Sequence, residues 1–159
     1  MKKPISSDAA LVRLETLCAR SEQCGADLRR KLFTWGITGS TAEKILDSLA
    51  DRRFFDDARF ARAFVNDRFN FSKWGRRKIT QALRLKRIDA DIISDAIATI
   101  DDEAYESTLR QILRSRAVRM AQPLSRDDRL RLARFAASRG FETSLILSTV
   151  NDPTLCEDS

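Results

Sequence analysis

The residues of this chain with the clearest chemical potential are positively charged and clustered. Residues 73–87 contain seven lysine or arginine side chains and no acidic residue, in a chain whose net charge is +6. Positive charge without interspersed acids attracts anionic partners, either phosphate groups or an acidic protein surface. We therefore expect these residues, which we call the basic segment, to bind a negatively charged partner.

A second cluster of arginines without acids follows in the last third of the chain. Arginine predominates over lysine in both clusters, and its planar guanidinium group binds carboxylate or phosphate through paired hydrogen bonds. The residues predicted to bind a partner or nucleic acid are Lys73, Arg76, Arg77, Arg84, Arg87, Arg110, Arg114, Arg116 and Arg119.

Other residue types argue against catalysis and metal binding. The chain has no histidine, the commonest general base and metal ligand. Its three cysteines form no CxxC pair, so a closed zinc site is not expected. Asp56 and Asp57 are adjacent, and consecutive helical positions diverge by about 100°, which favours helix capping over a shared metal. We expect no catalytic residue, metal or cofactor, and a non-enzymatic protein.

The elements that position these residues are predicted to be helices, because apolar side chains recur at helical spacing throughout and strand alternation is absent. The pattern predicts an all-α fold of three tandem three-helix repeats, which form an elongated, curved chain. Their predicted boundaries are residues 1–52, 53–100 and 101–150, followed by an acidic, disordered tail at 151–159. No apolar run approaches the roughly 20 residues of a membrane span, so we expect a cytoplasmic protein.

A short motif recurs where the second helix of each repeat gives way to the third. It reads Trp35-Gly36-Ile37, then Lys86-Arg87-Ile88, then Arg139-Gly140-Phe141. Gly36 and Gly140 suit the left-handed residue just past a helix end, and the next apolar residue is expected to pack back on the preceding turn.

In the middle repeat, the pattern predicts a helix from Asp56 or Asp57, a loop at 72–75 and a third helix over 89–101. On the second helix, Arg77, Gln81 and Arg84 share one face. Arg76 lies beside them, and the apolar residues lie opposite. Three aromatic residues near this loop, Phe69, Phe71 and Trp74, can either stack on an unpaired base or pack between repeats.

Two blocks of the middle repeat resemble the RecX family signature. The first is Phe54-Phe55-Asp56-Asp57-Ala58-Arg59-Phe60-Ala61-Arg62-Ala63-Phe64-Val65, and the second is Lys73-Trp74-Gly75-Arg76-Arg77-Lys78-Ile79, followed by Leu83 and Ile88. The signature residues among these are Asp56, Asp57, Arg59, Phe60 and Gly75. The family usually has glycine where this chain has Arg87, and a left-handed conformation there costs on the order of 1 kcal/mol relative to glycine.

The resemblance implies tandem three-helix repeats and a regulator of the RecA recombinase. RecX-like proteins bind the RecA–DNA filament and alter its ATP hydrolysis, strand exchange and co-protease activity, which implies roles in DNA repair, homologous recombination and the SOS response. The expected partners are the RecA filament and single- or double-stranded DNA, with no membrane partner, and we expect a monomer.

The alternative is a single-stranded or sequence-specific helix-turn-helix DNA-binding protein without RecA contact. A helix-turn-helix protein places its recognition helix in the major groove and needs basic or amide side chains there. The predicted third helix of the middle repeat instead carries four aspartates and no basic residue. This pattern disfavours groove reading by the middle repeat.

Overall fold

The structure, a computed structural model, describes residues 5–157. Within this range it contains nine helices and no strand, which confirms the predicted all-α class. The helices are α1 (Ser7–Arg20), α2 (Gly25–Thr34), α3 (Gly39–Asp51), α4 (Asp57–Asn70), α5 (Arg76–Leu85), α6 (Ala90–Ile97), α7 (Asp102–Ala117), α8 (Arg126–Ser138) and α9 (Thr143–Val150). Three consecutive sets of three helices agree with the expected repeats, whereas the exact repeat boundaries stay a prediction.

The helices of the middle repeat begin close to their predicted positions. The Asp56 side chain accepts a hydrogen bond of 3.0 Å from the backbone N–H of Arg59, so Asp56 caps the start of α4. Asp101 caps α7 in the same way, through the N–H of Ala104 at 2.9 Å. The third helix of this repeat, α6, is shorter than predicted and ends at Ile97.

The described residues form two compact units, and the division passes through α4 and α5 and before the last residue of α6. The first unit contains the residues up to Phe64 together with Leu83–Ala96. The second contains Val65–Ala82 together with the residues from Ile97 onward. Each unit has buried side chains of its own.

One buried cluster of the first unit is aliphatic and is built mainly by α1, α2 and α3. Helix α3 packs against both α1 and α2. The buried residues are Ala10, Leu14, Leu28, Leu32, Ile37, Ala42, Ile45, Leu46 and Leu49. Because Leu28 and Leu32 anchor one side of α2 in this core, the opposite side of α2 presents its polar residues to solvent.

Three aromatic rings pack together in the second unit, which also contains α7, α8 and α9. Tyr105 is fully buried. Its ring centroid lies 5.8 Å from that of Phe69 and 5.0 Å from that of Phe141. Leucines from α7 and α8, Leu109 and Leu132, complete the buried surroundings. Helices α7, α8 and α9 all contact one another, so this core fixes how α7 and α9 approach each other.

Residues 151–157 differ from the expected disordered tail. They form turns after α9, and Leu155 is buried. The Asp152 carboxylate lies 2.7 Å from Nη1 of Arg110 on α7. One apolar anchor and one ion pair therefore hold this segment against the second unit. The remaining tail residues, 158 and 159, lie outside the described residues.

The recurring motif at the ends of α2 and α8 has the predicted geometry. Gly36 and Gly140 adopt positive φ angles of 82° and 96°. The N–H groups of Ile37 and Phe141 donate to the carbonyl five residues earlier, at 2.8 and 3.2 Å. Both residues are buried. The left-handed helix ends and the inward packing of the following residue are confirmed.

Arg87 adopts the same left-handed conformation at the end of α5, with φ 56°. The N–H of Ile88 bonds back to the Leu83 carbonyl at 3.4 Å, the longest of the three equivalent bonds. Two further basic residues, Arg53 and Lys73, also have positive φ, at 58° and 57°. In an L-residue this conformation brings Cβ close to the following carbonyl oxygen, so the end of α5 carries backbone strain.

Replacing Arg87 with glycine is expected to stabilise the protein. The change removes the left-handed penalty of roughly 1–2 kcal/mol. The greater freedom of glycine in the unfolded chain offsets roughly 0.4–1 kcal/mol of this gain in stability. Urea unfolding is expected to show a net gain of about 0.5–1 kcal/mol. The control, Gln81→Gly at an exposed position inside α5, is expected to lose a comparable amount of stability. A loss of stability in Arg87→Gly would contradict the strain.

Candidate functional site

Arg76, at the start of α5, is engaged within the second unit and does not extend freely into solvent. Its Nη2 lies 2.6 Å from Oδ1 of Asp102, and its Nη1 lies 3.2 Å from Oε2 of Glu142. Its guanidinium carbon lies 3.8 Å from the centroid of the Tyr105 ring, within cation–π range. Arg76 was expected beside the exposed face of α5. Two acids and one aromatic ring hold it inward instead.

The Tyr105 hydroxyl joins this network from the core of the second unit. It donates a hydrogen bond of 2.7 Å to Oε1 of Glu142 and accepts one of 3.0 Å from the backbone N–H of Arg76. Burial raises the pKa of Tyr105 well above its ordinary value, and the hydrogen bond to Glu142 acts in the same direction. The hydroxyl therefore stays protonated and serves as a fixed donor and acceptor between α5, α7 and the start of α9.

Gly75 permits a close backbone approach beside this network. Its N–H donates to the Arg139 carbonyl at 2.7 Å, and the N–H of Arg77 donates to the Gly140 carbonyl at 3.0 Å. A Cβ atom on Gly75 would overlap the backbone of Gly140. The first N–H groups of a helix have no partner within the helix. Carbonyls at the α8–α9 junction supply partners at the start of α5, and only glycine fits at position 75.

Three predicted arginines of the basic segment remain exposed. Arg77 belongs to the second unit, and Arg84 and Arg87 belong to the first. Among residues 5–157, no acidic side chain forms an ion pair with any of these three guanidinium groups. Lys73 is partly buried at its left-handed turn. The basic segment therefore divides into residues that hold the fold, such as Arg76, and residues that present charge to solvent.

The predicted arginines of the second cluster divide in the same way. Arg110 binds Asp152 and donates to the Thr154 carbonyl at 2.9 Å, so it fastens the segment after α9. Arg114 is partly buried. The guanidinium carbon of Arg116 lies 3.5 Å from the centroid of the Phe135 ring, although the residue is exposed. Arg119 is exposed.

The paired aspartates of the signature cap two different helices. Asp56 caps α4, and the hydrogen bond from the Arg59 N–H lowers the pKa of its carboxyl. Asp57 accepts a hydrogen bond of 2.8 Å from the N–H of Gly25, the first residue of α2. Adjacent carboxylates thus satisfy donors at two helix starts. Capping was the favoured interpretation, but the partner 32 residues away was not foreseen.

The other signature residues of the first unit are also structural. Nε of Arg59 lies 2.8 Å from both carboxylate oxygens of Glu22, so Arg59 fastens α4 to the link between α1 and α2. Phe60 is buried, and its ring centroid lies 5.8 Å from that of Phe64. Nζ of Lys86 lies 5.6 Å from the Phe60 ring. These signature residues therefore pack and form hydrogen bonds within the first unit.

The aromatic residues of the α4–α5 loop have three different environments. Phe69 is buried against Tyr105. Trp74 is partly buried, with Arg68 and Lys78 at 4.8 and 4.5 Å from its ring. Phe71 is 80% exposed. Packing therefore accounts for Phe69, whereas Phe71 is the most exposed of the three rings.

Within residues 5–157, no group of histidine, cysteine, aspartate or glutamate residues is arranged to hold a metal ion. Burial raises the pKa of the Cys24 thiol to about 11, so this sulfur stays protonated at neutral pH. In the same range, none of the helices combines the length and apolar character needed to cross a membrane.

These features define a class of protein, namely an all-α protein built from three-helix repeats. At the start of α5, Gly75 permits a close backbone approach, Arg76 is paired internally and Arg77 is exposed. Residues 56–97 match the family described as RecX, second three-helix domain. "Regulatory protein RecX" of Streptomyces lividans is 31% identical over 151 residues, which cover 94% of this chain and 78% of that protein. The chain belongs to the RecX family.

Two further comparisons agree with this assignment. "Regulatory protein RecX" of Xanthomonas axonopodis pv. citri is 33% identical over 130 residues, covering 82% of this chain and 78% of that protein. The crystal structure of RecX from Lactobacillus salivarius has the same fold, with a TM-score of 0.84 at 19% identity. The match covers 94% of this chain and 97% of that one. The family resemblance of the two signature blocks is confirmed.

Gly75→Ala is expected to destabilise the protein by at least about 2 kcal/mol, because its Cβ would overlap backbone atoms that cannot move aside. The matched change is Gly39→Ala. Gly39 has φ 62°, but no atom lies within 4 Å of the position that a Cβ atom would occupy. Only the left-handed penalty of roughly 1–2 kcal/mol therefore applies there. Denaturant unfolding of both variants measures the free energy of unfolding that each one loses relative to wild type. A smaller loss at position 75 than at position 39 would rule out the close approach.

Tyr105, the only tyrosine of the chain, provides a pH test. In the unfolded chain it ionises near pH 10, whereas the folded protein keeps it protonated to higher pH. The unfolded state therefore loses this proton first, and the stability that Tyr105 contributes falls as pH rises above about 10. The stabilities of wild type and Tyr105→Phe, measured at pH 8 and pH 11, are expected to converge at the higher pH. An absorbance titration in which the folded protein ionises at an ordinary tyrosine pKa would contradict the buried hydroxyl.

Proposed function

We propose that this protein regulates the RecA recombinase by binding the RecA–DNA filament, without catalysing a reaction itself. Its relatives carry the name of a regulatory protein, and the signature residues serve packing and capping. In this proposal, binding alters the ATP hydrolysis, strand exchange and co-protease activity of the filament, and so affects DNA repair, homologous recombination and the SOS response. The protein acts as a cytoplasmic monomer.

The observation that carries the proposal is the set of exposed arginines without an internal partner. Arg84 and Arg87 supply such groups in the first unit, and Arg77 and Arg119 supply them in the second. No acidic residue of the described chain neutralises these guanidinium groups. Arginines that neither pack nor pair contribute little to folding, whereas they can form paired hydrogen bonds with carboxylate or phosphate groups of a partner.

Arg76 and Arg110 have a different part in the proposal. Both form ion pairs inside the second unit, and removal of either would disturb the fold as well as the surface charge. We therefore assign them to maintaining the scaffold. The binding surface then rests on the exposed arginines, with Lys73, Arg114 and Arg116 as neighbouring contributors.

The alternative, a DNA-binding protein without RecA contact, finds less support in the third helix of each repeat. Helix α6 exposes Asp91 and Asp95, which phosphate would repel. Helix α9 carries no charged residue. Helix α3 has a single basic residue, Lys44, between Glu43 and Asp47. None of the three helices offers the arginine, asparagine or glutamine side chains that read base edges near a helix start.

Reversing the exposed charge of the first unit tests the proposal. The variant Arg84→Glu with Arg87→Glu is expected to weaken inhibition or stimulation of RecA ATPase about tenfold, equivalent to about 1.4 kcal/mol, while helicity stays unchanged. The single change Arg77→Glu in the second unit is expected to act in the same direction.

A double variant with the same net charge serves as the control. Arg20 on α1 and Lys44 on α3 are exposed, and Arg20→Glu with Lys44→Glu is expected to retain full RecA regulation. Equal losses in both double variants would leave only a general charge effect and refute the assigned surface. Undiminished regulation by Arg84→Glu with Arg87→Glu would refute it as well. Tight, salt-dependent binding to naked DNA with no effect on RecA would favour the alternative.

A further inference from the structure

A polar cavity of about 430 Å³ lies within the first unit, on the solvent side of α2. Successive turns of α2 contribute side chains to the cavity lining, because positions three and four residues apart share a helix face. The lining residues are Gln23, Asp27, Arg30, Lys31, Thr34, Trp35 and Lys86. Leu28 and Leu32, on the other side of α2, are fixed in the aliphatic core. The cavity is therefore built on a rigid helix.

An ion pair forms one wall of this cavity. Nζ of Lys86 lies 2.8 Å from Oδ2 of Asp27, and Nη1 of Arg30 lies 3.5 Å from Oδ1. Burial by itself would raise the pKa of Asp27, but the hydrogen bond and charge of Lys86 lower it below its ordinary value. Asp27 is ionised and Lys86 balances it, so the positive charges of Arg30 and Lys31 remain in excess.

The excess charge is accessible. The Arg30 side chain is 68% exposed. Lys31 is also exposed, and within residues 5–157 no acidic group pairs with it. Both groups can therefore approach an anion in the cavity without giving up a strong internal partner. This arrangement favours a ligand that carries at least one negative charge.

Trp35 adds an aromatic surface to the same cavity. It is partly buried at the end of α2, and the guanidinium carbon of Arg13 lies 5.6 Å from its ring. Gln23 and Thr34 contribute an amide and a hydroxyl group. Aromatic contact with a nucleobase is worth about 1–3 kcal/mol, and ligand cavities typically measure roughly 300–1,000 Å³. A simple anion would leave the aromatic part unused, and a peptide made only of aspartate and glutamate offers no aromatic ring to stack on Trp35.

We propose that this cavity binds a nucleotide, with the base against Trp35 and the phosphate near Arg30 and Lys31. The nucleotide is either free or one unit of a single DNA strand, and both sources offer the same chemistry. The site lies on α2 and does not involve Arg84 or Arg87, so it goes beyond the proposed RecA regulation and does not depend on it.

Tryptophan emission tests this directly, because the chain has only two tryptophans. In Trp74→Phe, Trp35 is the sole reporter. Thymidine monophosphate and a thymidine oligonucleotide are titrated into this variant after its helicity has been checked. Saturable quenching by thymidine monophosphate supports a site that accepts a free nucleotide, and quenching by the oligonucleotide alone supports a site for one unit of a DNA strand. Trp35→Phe, in which only Trp74 reports, is expected to show no such change. Unaltered Trp35 emission with both ligands overturns the proposal.

Salt dependence tests the phosphate contact. Lys31→Ala is expected to weaken oligonucleotide binding severalfold and to reduce the slope of log affinity against log salt by about 1. The control Lys44→Ala, at an exposed position of α3, is expected to leave both unchanged. An identical slope in Lys31→Ala overturns the assignment, as does equal quenching by an oligoglutamate peptide. RecA regulation is expected to be retained in Lys31→Ala, so failure of this site and failure of the proposed function remain distinguishable.

Discussion

The start of α5 must find partners for its backbone N–H groups, and this requirement organises the second unit. The Gly75 and Arg77 N–H groups donate to carbonyls at the α8–α9 junction, and the Arg76 N–H donates to the Tyr105 hydroxyl. Such an approach is possible because position 75 has no Cβ. Once the backbone is held in this way, the Arg76 side chain lies over Tyr105 and meets the acids that begin α7 and α9.

This constraint also determines which charges of the basic segment are available to a partner. Residue 76 turns inward at the helix start, whereas Arg77 and Arg84 lie on the solvent side of α5. Lys86 is occupied by Asp27 in the first unit, and Arg87 ends the helix in a left-handed, exposed turn. The basic segment thus contains both residues that form internal ion pairs and residues that are exposed to solvent. In the proposed function the exposed arginines bind the partner, whereas Arg76 and Lys86 form ion pairs within their own units.

Local features were predictable from the sequence, and distant pairings were not. Gly36 and Gly140 indicated their helix ends because a left-handed residue after an amphipathic stretch favours glycine. Arg76, in contrast, resembled any exposed arginine, since no acid lies nearby in sequence. Its partners, Asp102 and Glu142, are 26 and 66 residues away. The absence of acids along a segment therefore says little about neutralisation in three dimensions. The cavity beside Trp35 was missed for the same reason, because Lys86 reaches it from a distant helix end.

The central claim is that outward arginines bind a negatively charged filament. The most direct measurement is the affinity of the full chain for RecA assembled on single-stranded DNA with an ATP analogue, followed across a salt series. Ion pairing with phosphate or carboxylate groups predicts that affinity falls steadily as salt rises. Binding that is tight and unchanged from low to high salt would contradict the account, because it would assign recognition to apolar contacts instead of guanidinium groups.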